Sequence, residues 1–300
     1  MKKKTYLFTL MAMALTLGSC SDNENGIGGE TSKYITVSTS IGNMTRVATD
    51  EKGGQTFEEG DEISVYARTG DATVAPETSE RVVNNAINKL TNGSWVSTPQ
   101  MLWKNNRDKH YFIGVYPISA ISDLSAGEYT FDETKQVESD LLVAVNKDGL
   151  SYNVDEQQPV PLTFTHVMAK LVVNLTYKNQ WGGIPTVEKV VVGNAAKEAT
   201  INYLTKVVTP STTAKEDFSL PEITENTKYV SVIIPQEEVT QLTIVIGGKN
   251  FVYDNGTPFK LESGKITTVN LEVGRDEIKL GDVKITNWED GSTFSGEALN

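Results

Sequence analysis

The sequence predicts an all-β protein built as two tandem β-sandwich domains. Three observations carry this. Apolar and polar residues alternate in short runs, as in Ile35, Val37, Thr39 and Ile41, the period of a half-buried strand. The runs are separated by turn dipeptides such as Gly60-Asp61 and Asn92-Gly93, which fits an antiparallel sandwich. A polar, proline-flanked stretch, Gln157-Gln158-Pro159, divides the chain into a body over 34–156 and one over 157–300, each long enough to bury its own core.

The N-terminus does not belong to either body. Lys2, Lys3 and Lys4 precede an apolar run from Tyr6 to Leu17, shorter than the roughly 20 residues needed to span a bilayer. A charged start, a short apolar run and small residues read as an export signal, here residues 1–19. Leu17-Gly18-Ser19-Cys20 resembles a bacterial lipobox, and Cys20 is the only cysteine. The resemblance implies cleavage between Ser19 and Cys20, lipidation of Cys20 and retention at the outer membrane. The alternative is an ordinary signal peptide with an incidental cysteine. Residues 20–33, acidic and Gly-rich with Ile27 as an isolated apolar residue, read as a flexible tether.

Charge narrows the function classes. Loss of the three leader lysines takes the formal charge from −12 to −15. An acidic chain without a basic, aromatic-interleaved patch argues against nucleic acid as a partner. With Cys20 lipidated no disulfide forms, so packing and strand ladders must hold the fold.

In the first body, Lys33–Ile41 is the leading strand. A polar loop, Gly42–Gln55, follows and carries Arg46, accessible to a trypsin-like protease. Gly60-Asp61 turns into a strand over Ile63–Ala67. Val82–Leu90 has loosely helical spacing and is expected to be the best helix candidate. His110–Tyr116, Tyr129–Phe131 and Leu141–Val145 read as further strands. In the second body, Pro161–His166 leads into Met168–Tyr177. Strands follow at Val187–Val192, Ala199–Leu204, Tyr229–Ile234, Leu242–Ile246, Phe251–Tyr253, Lys265–Val273 and Val283–Ile285.

Four motifs in order resemble the fimbrillin family, the lipoprotein-derived type V pilins of Bacteroidetes. They are Phe57-Glu58-Glu59-Gly60-Asp61, then Tyr111-Phe112 leading to Tyr116-Pro117. Leu162-Thr163-Phe164-Thr165-His166-Val167-Met168-Ala169-Lys170-Leu171 and Ile285-Thr286-Asn287-Trp288 follow. The resemblance implies tandem β-sandwiches of transthyretin-like/Greek-key type, a lipidated precursor and a surface fimbria. It implies other pilin subunits as partners, and leaves a host or bacterial surface ligand open as another. It also implies cleavage between Arg46 and Val47, since stalk members are cut after an arginine behind the first strand. Stalk, anchor and tip roles all remain open.

Enzyme chemistry is not expected. There is no Gly-x-Ser-x-Gly, His-Glu-x-x-His or phosphate loop. His110 and His166 sit at strands and read as structural rather than metal-binding. Lys147-Asp148-Gly149 and Asp254-Asn255-Gly256 read as turns before calcium loops. No cofactor is implied. The rival to a pilus subunit is a surface glycan-binding lipoprotein, with Trp95, Trp103, Trp181 and Trp288 as a sugar-stacking platform. Ordinary packing is the alternative for those rings.

Overall fold

A computed structural model describes residues 33–42, 56–153, 158–239, 241–253 and 258–288. Among them the chain forms strands and two short 3-10 turns, with no α-helix. The first eight strands are β1 (Val37–Ile41), β2 (Glu62–Arg68), β3 (Val83–Thr91), β4 (Ser94–Thr98), β5 (Tyr111–Tyr116), β6 (Gly127–Thr130), β7 (Leu142–Val145) and β8 (Val160–His166). Seven of them make one sheet in the order β1-β8-β7-β5-β2-β3-β4.

This sheet curls until its edges meet. Residues just before β1 pair with residues just after β4 through an antiparallel bridge between Tyr34 and Leu102. Ile35 N donates to Met101 O at 3.0 Å and Trp103 N to Lys33 O at 3.0 Å. One face encloses a core that includes Ile35, Val37, Ile63, Val65, Phe112, Leu162 and Phe164. The opposite face also carries buried residues, Tyr66, Ile113, Val115 and Val143, which belong to a second and larger core. Burial on both faces explains why β7 reads as a continuous apolar run.

The second core is built mainly by the rest of the chain. Its strands are β9 (Ala169–Tyr177), β10 (Lys189–Ala196), β11 (Glu198–Asn202), β12 (Val207–Pro210), β13 (Lys215–Ser219), β14 (Glu222–Thr224), β15 (Lys228–Ile233), β16 (Gln236–Val239), β17 (Gln241–Ile246), β18 (Lys249–Tyr253), β19 (Phe259–Leu261), β20 (Lys265–Val273) and β21 (Ile278–Asn287). Most of them form a five-stranded sheet, β14-β15-β9-β20-β21, and a four-stranded sheet, β13-β10-β17-β18, while β16 and β19 pair on their own. Leu171, Val173, Val269 and Leu271 of the first share a core with Val190, Val192, Leu242 and Ile244 of the second. A small sheet, β12-β11-β6, joins β6 from the first half to the second.

Three features differ from the sequence reading. Val82–Leu90 is not a helix: most of it is β3. Opposite it, Val65 pairs with Ala86 but Ala67 pairs with Val83, so an extra residue sits in β3. Asn85 absorbs this bulge at φ 55°, a conformation asparagine tolerates. The bulge spaces the buried positions Val83, Ala86 and Asn88 by three and then two, which breaks the strict alternation of a strand. Second, β8 lies beyond the junction drawn at 157 yet pairs with β1 and β7 in the first sheet. Third, β6 pairs with β11 rather than with the first sheet.

Candidate assembly interface

The leading strand of the chain, ahead of the predicted cleavage position, is β1. It runs parallel to β8, with Val37 opposite Val160, Thr39 opposite Leu162 and Ile41 opposite Phe164. Val160 N donates to Thr36 O at 2.8 Å, and Gly42 N to Phe164 O at 2.8 Å. The alternation in the sequence becomes alternation in burial. Ile35 and Val37 are 1% and 6% exposed, while Thr36, Ser38 and Ser40 face outward. Burying such an aliphatic side chain is worth about 1.5–3 kcal/mol. Side chains lock the register further: Trp95 Nε1 donates to Thr39 Oγ1 at 3.0 Å, and Ser40 Oγ to Thr163 Oγ1 at 3.2 Å. A one-residue slip would turn Ile35 and Val37 outward.

β1 therefore closes the sheet, held by β8 on one side and by the chain after β4 near its start. The predicted processing residues Arg46 and Val47 lie outside the described residues, as do Ser19 and Cys20. They fall in segments on either side of β1: Gly42 is the last described residue after it and Thr56 the next.

The motif Phe57–Asp61 braces the same region. Phe57 packs edge-on against Trp95, Tyr116 and Phe164, with ring centroids 5.3, 5.4 and 5.1 Å apart. The Glu59 carboxylate accepts from the backbone N–H groups of Asn92 and Gly93 in the β3–β4 turn. Asp61 Oδ2 accepts from Glu58 N at 2.7 Å. Burial, together with the nearby Asp61 carboxylate, pushes the Tyr116 hydroxyl up to about 12. The roles of Phe57 and Glu59 were not legible from spacing, because their partners are remote in the chain.

The later motifs meet at the boundary of the two cores. His166, at the end of β8, sits 2.7 Å from Asp140 through Nδ1 and stacks on Trp288 at 4.1 Å and 7°. Lys170 Nζ lies 4.6 Å from the center of the same indole. Burial lowers its ammonium to about 8, against the opposing pull of Asp140. Thr165, Lys206, Ser263 and Gly264 join His166 and Trp288 around a cavity of about 270 Å³. The resemblance motifs thus brace β1's surroundings and the seam between cores.

The other candidates resolve as structure. His110 is buried; its Nε2 accepts from Lys104 N at 3.1 Å, and Nδ1 faces Asp108 O at 3.1 Å. That pattern fixes a neutral ring, and burial lowers its pKa. Among the described residues no cluster of three or more His, Cys, Asp or Glu could hold a metal. Lys147-Asp148-Gly149 forms a turn, with Gly149 at φ 67° and its N–H on Asn146 Oδ1 at 2.8 Å. Asp254-Asn255-Gly256 lies outside the described residues. The four tryptophans are not gathered on one face. Trp95 and Trp103 pack against the first core, while Trp181 packs against the second and Trp288 lies within it.

The comparisons with known proteins give one family, from the sequence, and one fold, from solved structures. A family model described as "Fimbrillin-like" matches residues 45–288. No curated protein matches the sequence. A candidate cell adhesion protein from Bacteroides uniformis superposes with a TM-score of 0.64 at 18% identity, covering 85% of this chain and 99% of that one. A fimbrial protein from Bacteroides vulgatus gives 0.50 at 13% identity, covering 85% and 99%. The tip fimbrial protein Mfa3 of Porphyromonas gingivalis, truncated at its C-terminus, gives 0.50 at 11% identity, covering 77% and 95%.

Proposed function

This chain belongs to the fimbrillin-like family, and from that premise we propose that it is a pilus-associated subunit, made as a lipidated precursor and assembled by protease-triggered strand exchange. The family is structural and adhesive rather than enzymatic. The observation that supports exchange is β1 itself. It is a single short strand whose Val37, with Ile35 just before it, completes the first core. It joins the rest of the body through the segment that carries Arg46.

Cleavage after Arg46 would leave β1 held by non-covalent contacts alone. Its departure would expose the side chains of Val160, Leu162 and Phe164 together with unpaired backbone groups of β8, a surface that seeks a strand. A neighboring subunit would supply one by strand complementation. Lipidation at Cys20 would keep the precursor at the outer membrane until then. Three acyl chains anchor far more firmly than the marginal hold of one.

The N-terminal residue of the protein recovered from surface fibers tests this reading. Val47 is expected for a processed, polymerizing subunit. Cys20 on all recovered fiber protein would contradict cleavage. Cys20→Ala is expected to abolish lipid labeling and accumulate precursor; unchanged labeling would remove the anchor from the account.

A further inference from the structure

Trp95 stands beside the groove that β1 fills. It lies on β4, and the curl of the sheet brings its ring to the β1 side. Phe57 packs edge-on against that ring at 5.3 Å, and both side chains pack against the first core. An indole N–H can donate a hydrogen bond but accept none. Its acceptor here, Thr39 Oγ1 at 3.0 Å, belongs to β1. Phe57, Trp95, Leu162 and Phe164 all follow Arg46 in the sequence. Cleavage after Arg46 would leave the donor with the body and let the acceptor depart with the strand.

Thr39 is an unusual residue for its place. The row facing the core is Ile35, just before β1, then Val37, Thr39 and Ile41. Thr39 is half-buried, lies between aliphatic neighbors and sits opposite Leu162, which is buried. Valine has the same shape and is at least as good a strand former, so packing alone would favor an aliphatic residue there. The hydroxyl does two things instead. It satisfies an N–H that a seated aliphatic strand would cover and leave unpaired. It also fixes register. A one-residue slip turns the apolar row outward. A two-residue slip keeps that row inward, and Trp95 opposes it: an aliphatic side chain then meets the indole N–H, and the hydroxyl moves into an apolar position.

We infer that Trp95 is a specificity-determining residue of the groove: the strand that refills it must present a serine or threonine hydroxyl to Trp95 Nε1, with aliphatic residues two positions before and two after. The partner is a neighboring subunit whose donor strand reads apolar, apolar, hydroxyl, apolar at alternate positions and runs parallel to β8, as β1 does. The inference rests on the strand-exchange reading and adds the partner's chemistry to it. A site built to hydrogen-bond a hydroxyl discriminates against the analog lacking it, because its own polar group is left unpaired. A purely aliphatic strand, otherwise suited to an apolar groove, is thereby disfavored.

The test uses the full chain, cut after Arg46 with limiting trypsin that is then inhibited, and fluorescent peptides of residues 33–42 in excess. Incorporation is read on gels run without boiling. The parent peptide and Thr39→Ser are expected to enter within about threefold of each other, and Thr39→Val about fivefold less or worse. Trp95→Phe, which keeps a ring beside Phe57 and has no N–H, is expected to accept the parent and Thr39→Val equally. Entry of Thr39→Val as good as the parent into the wild-type body would overturn the inference and leave strand exchange standing. Thr39→Ser entering as poorly as Thr39→Val, or a valine penalty that persists in Trp95→Phe, would do the same. Failure of every peptide, the parent included, would overturn strand exchange and this inference with it. In the uncut chain, the Trp95 indole N–H proton is expected to move upfield in Thr39→Val and hold its place in Thr39→Ser. An unmoved signal in Thr39→Val would also overturn the inference.

Discussion

β1 and β21 are both edge strands, yet they are held in opposite ways. β1 has five residues and depends on its side chains: its apolar face completes the first core. β21 has ten residues and depends on its backbone. It pairs along its length with β20, but most of its positions are exposed on both faces, including Val283 and Ile285. Its anchors lie at the ends, with Ile278 and Leu280 half-buried at the start and Trp288 buried just beyond the last residue. A strand held by side chains leaves a demanding groove when it departs. A strand held mainly by its ladder leaves little apolar surface. Under the proposed strand exchange, the groove to be refilled would therefore be the one β1 occupies.

If β21 is held at its end, Trp288→Ala should be the most damaging change there. It removes the ring between His166 and Lys170 and should cost about 3–5 kcal/mol in urea unfolding. A loss under about 1 kcal/mol would mean the ladder alone suffices. Just before β1, Ile35→Ala should cost about 2–5 kcal/mol by the same measurement; a neutral result would break the contrast from the other side.

The Trp288 anchor should also respond to pH. Lys170 titrates near 8 in the folded chain against an ordinary 10.5, because burial disfavors its charge. Between those values the unfolded chain binds the proton that the folded chain has released. Stability should therefore rise with pH across that window, by on the order of 3 kcal/mol at most. Asp140 favors the charged form and Lys228 opposes it. Above about pH 10, buried tyrosines such as Tyr66, Tyr129 and Tyr203, whose hydroxyls burial pushes up, reverse the trend. Lys170→Met should flatten the rise in denaturation midpoint and leave the later fall. The smallest effect belongs to the exposed middle of β21. Val283→Ala should stay within about 0.5 kcal/mol, and a loss above 1 kcal/mol would show that this face is covered in solution.

The same contrast explains what was legible in the sequence. Alternation survives where a strand has one wet face, so β1 was readable from Ile35, Val37 and Ile41. It fails where both faces are buried, as in β7, or where a bulge resets the count, as at Asn85 in β3. Partnership was less accessible still. The parallel pairing of β1 with β8 joins segments more than 100 residues apart, and no local pattern announces it. Phe57, Glu59 and Asp61 could be recognized as a motif, but their work depends on Asn92, Tyr116 and Phe164, which only the fold brings near. Nothing local marks Arg68 and Arg81 as buried; Arg81 is held by the backbone of Ile121 and Ser122, remote in the chain. Cys20 and Arg46 rest on the lipobox and family resemblance, outside the described residues.

Limited trypsin digestion of the purified precursor, followed by gels run without boiling, tests the central claim most directly. The account predicts cleavage after Arg46, ladders of strand-exchanged oligomers in the wild type, and none in Arg46→Ala. Wild-type protein that is cut there and stays monomeric, or ladders that persist in Arg46→Ala, would contradict it.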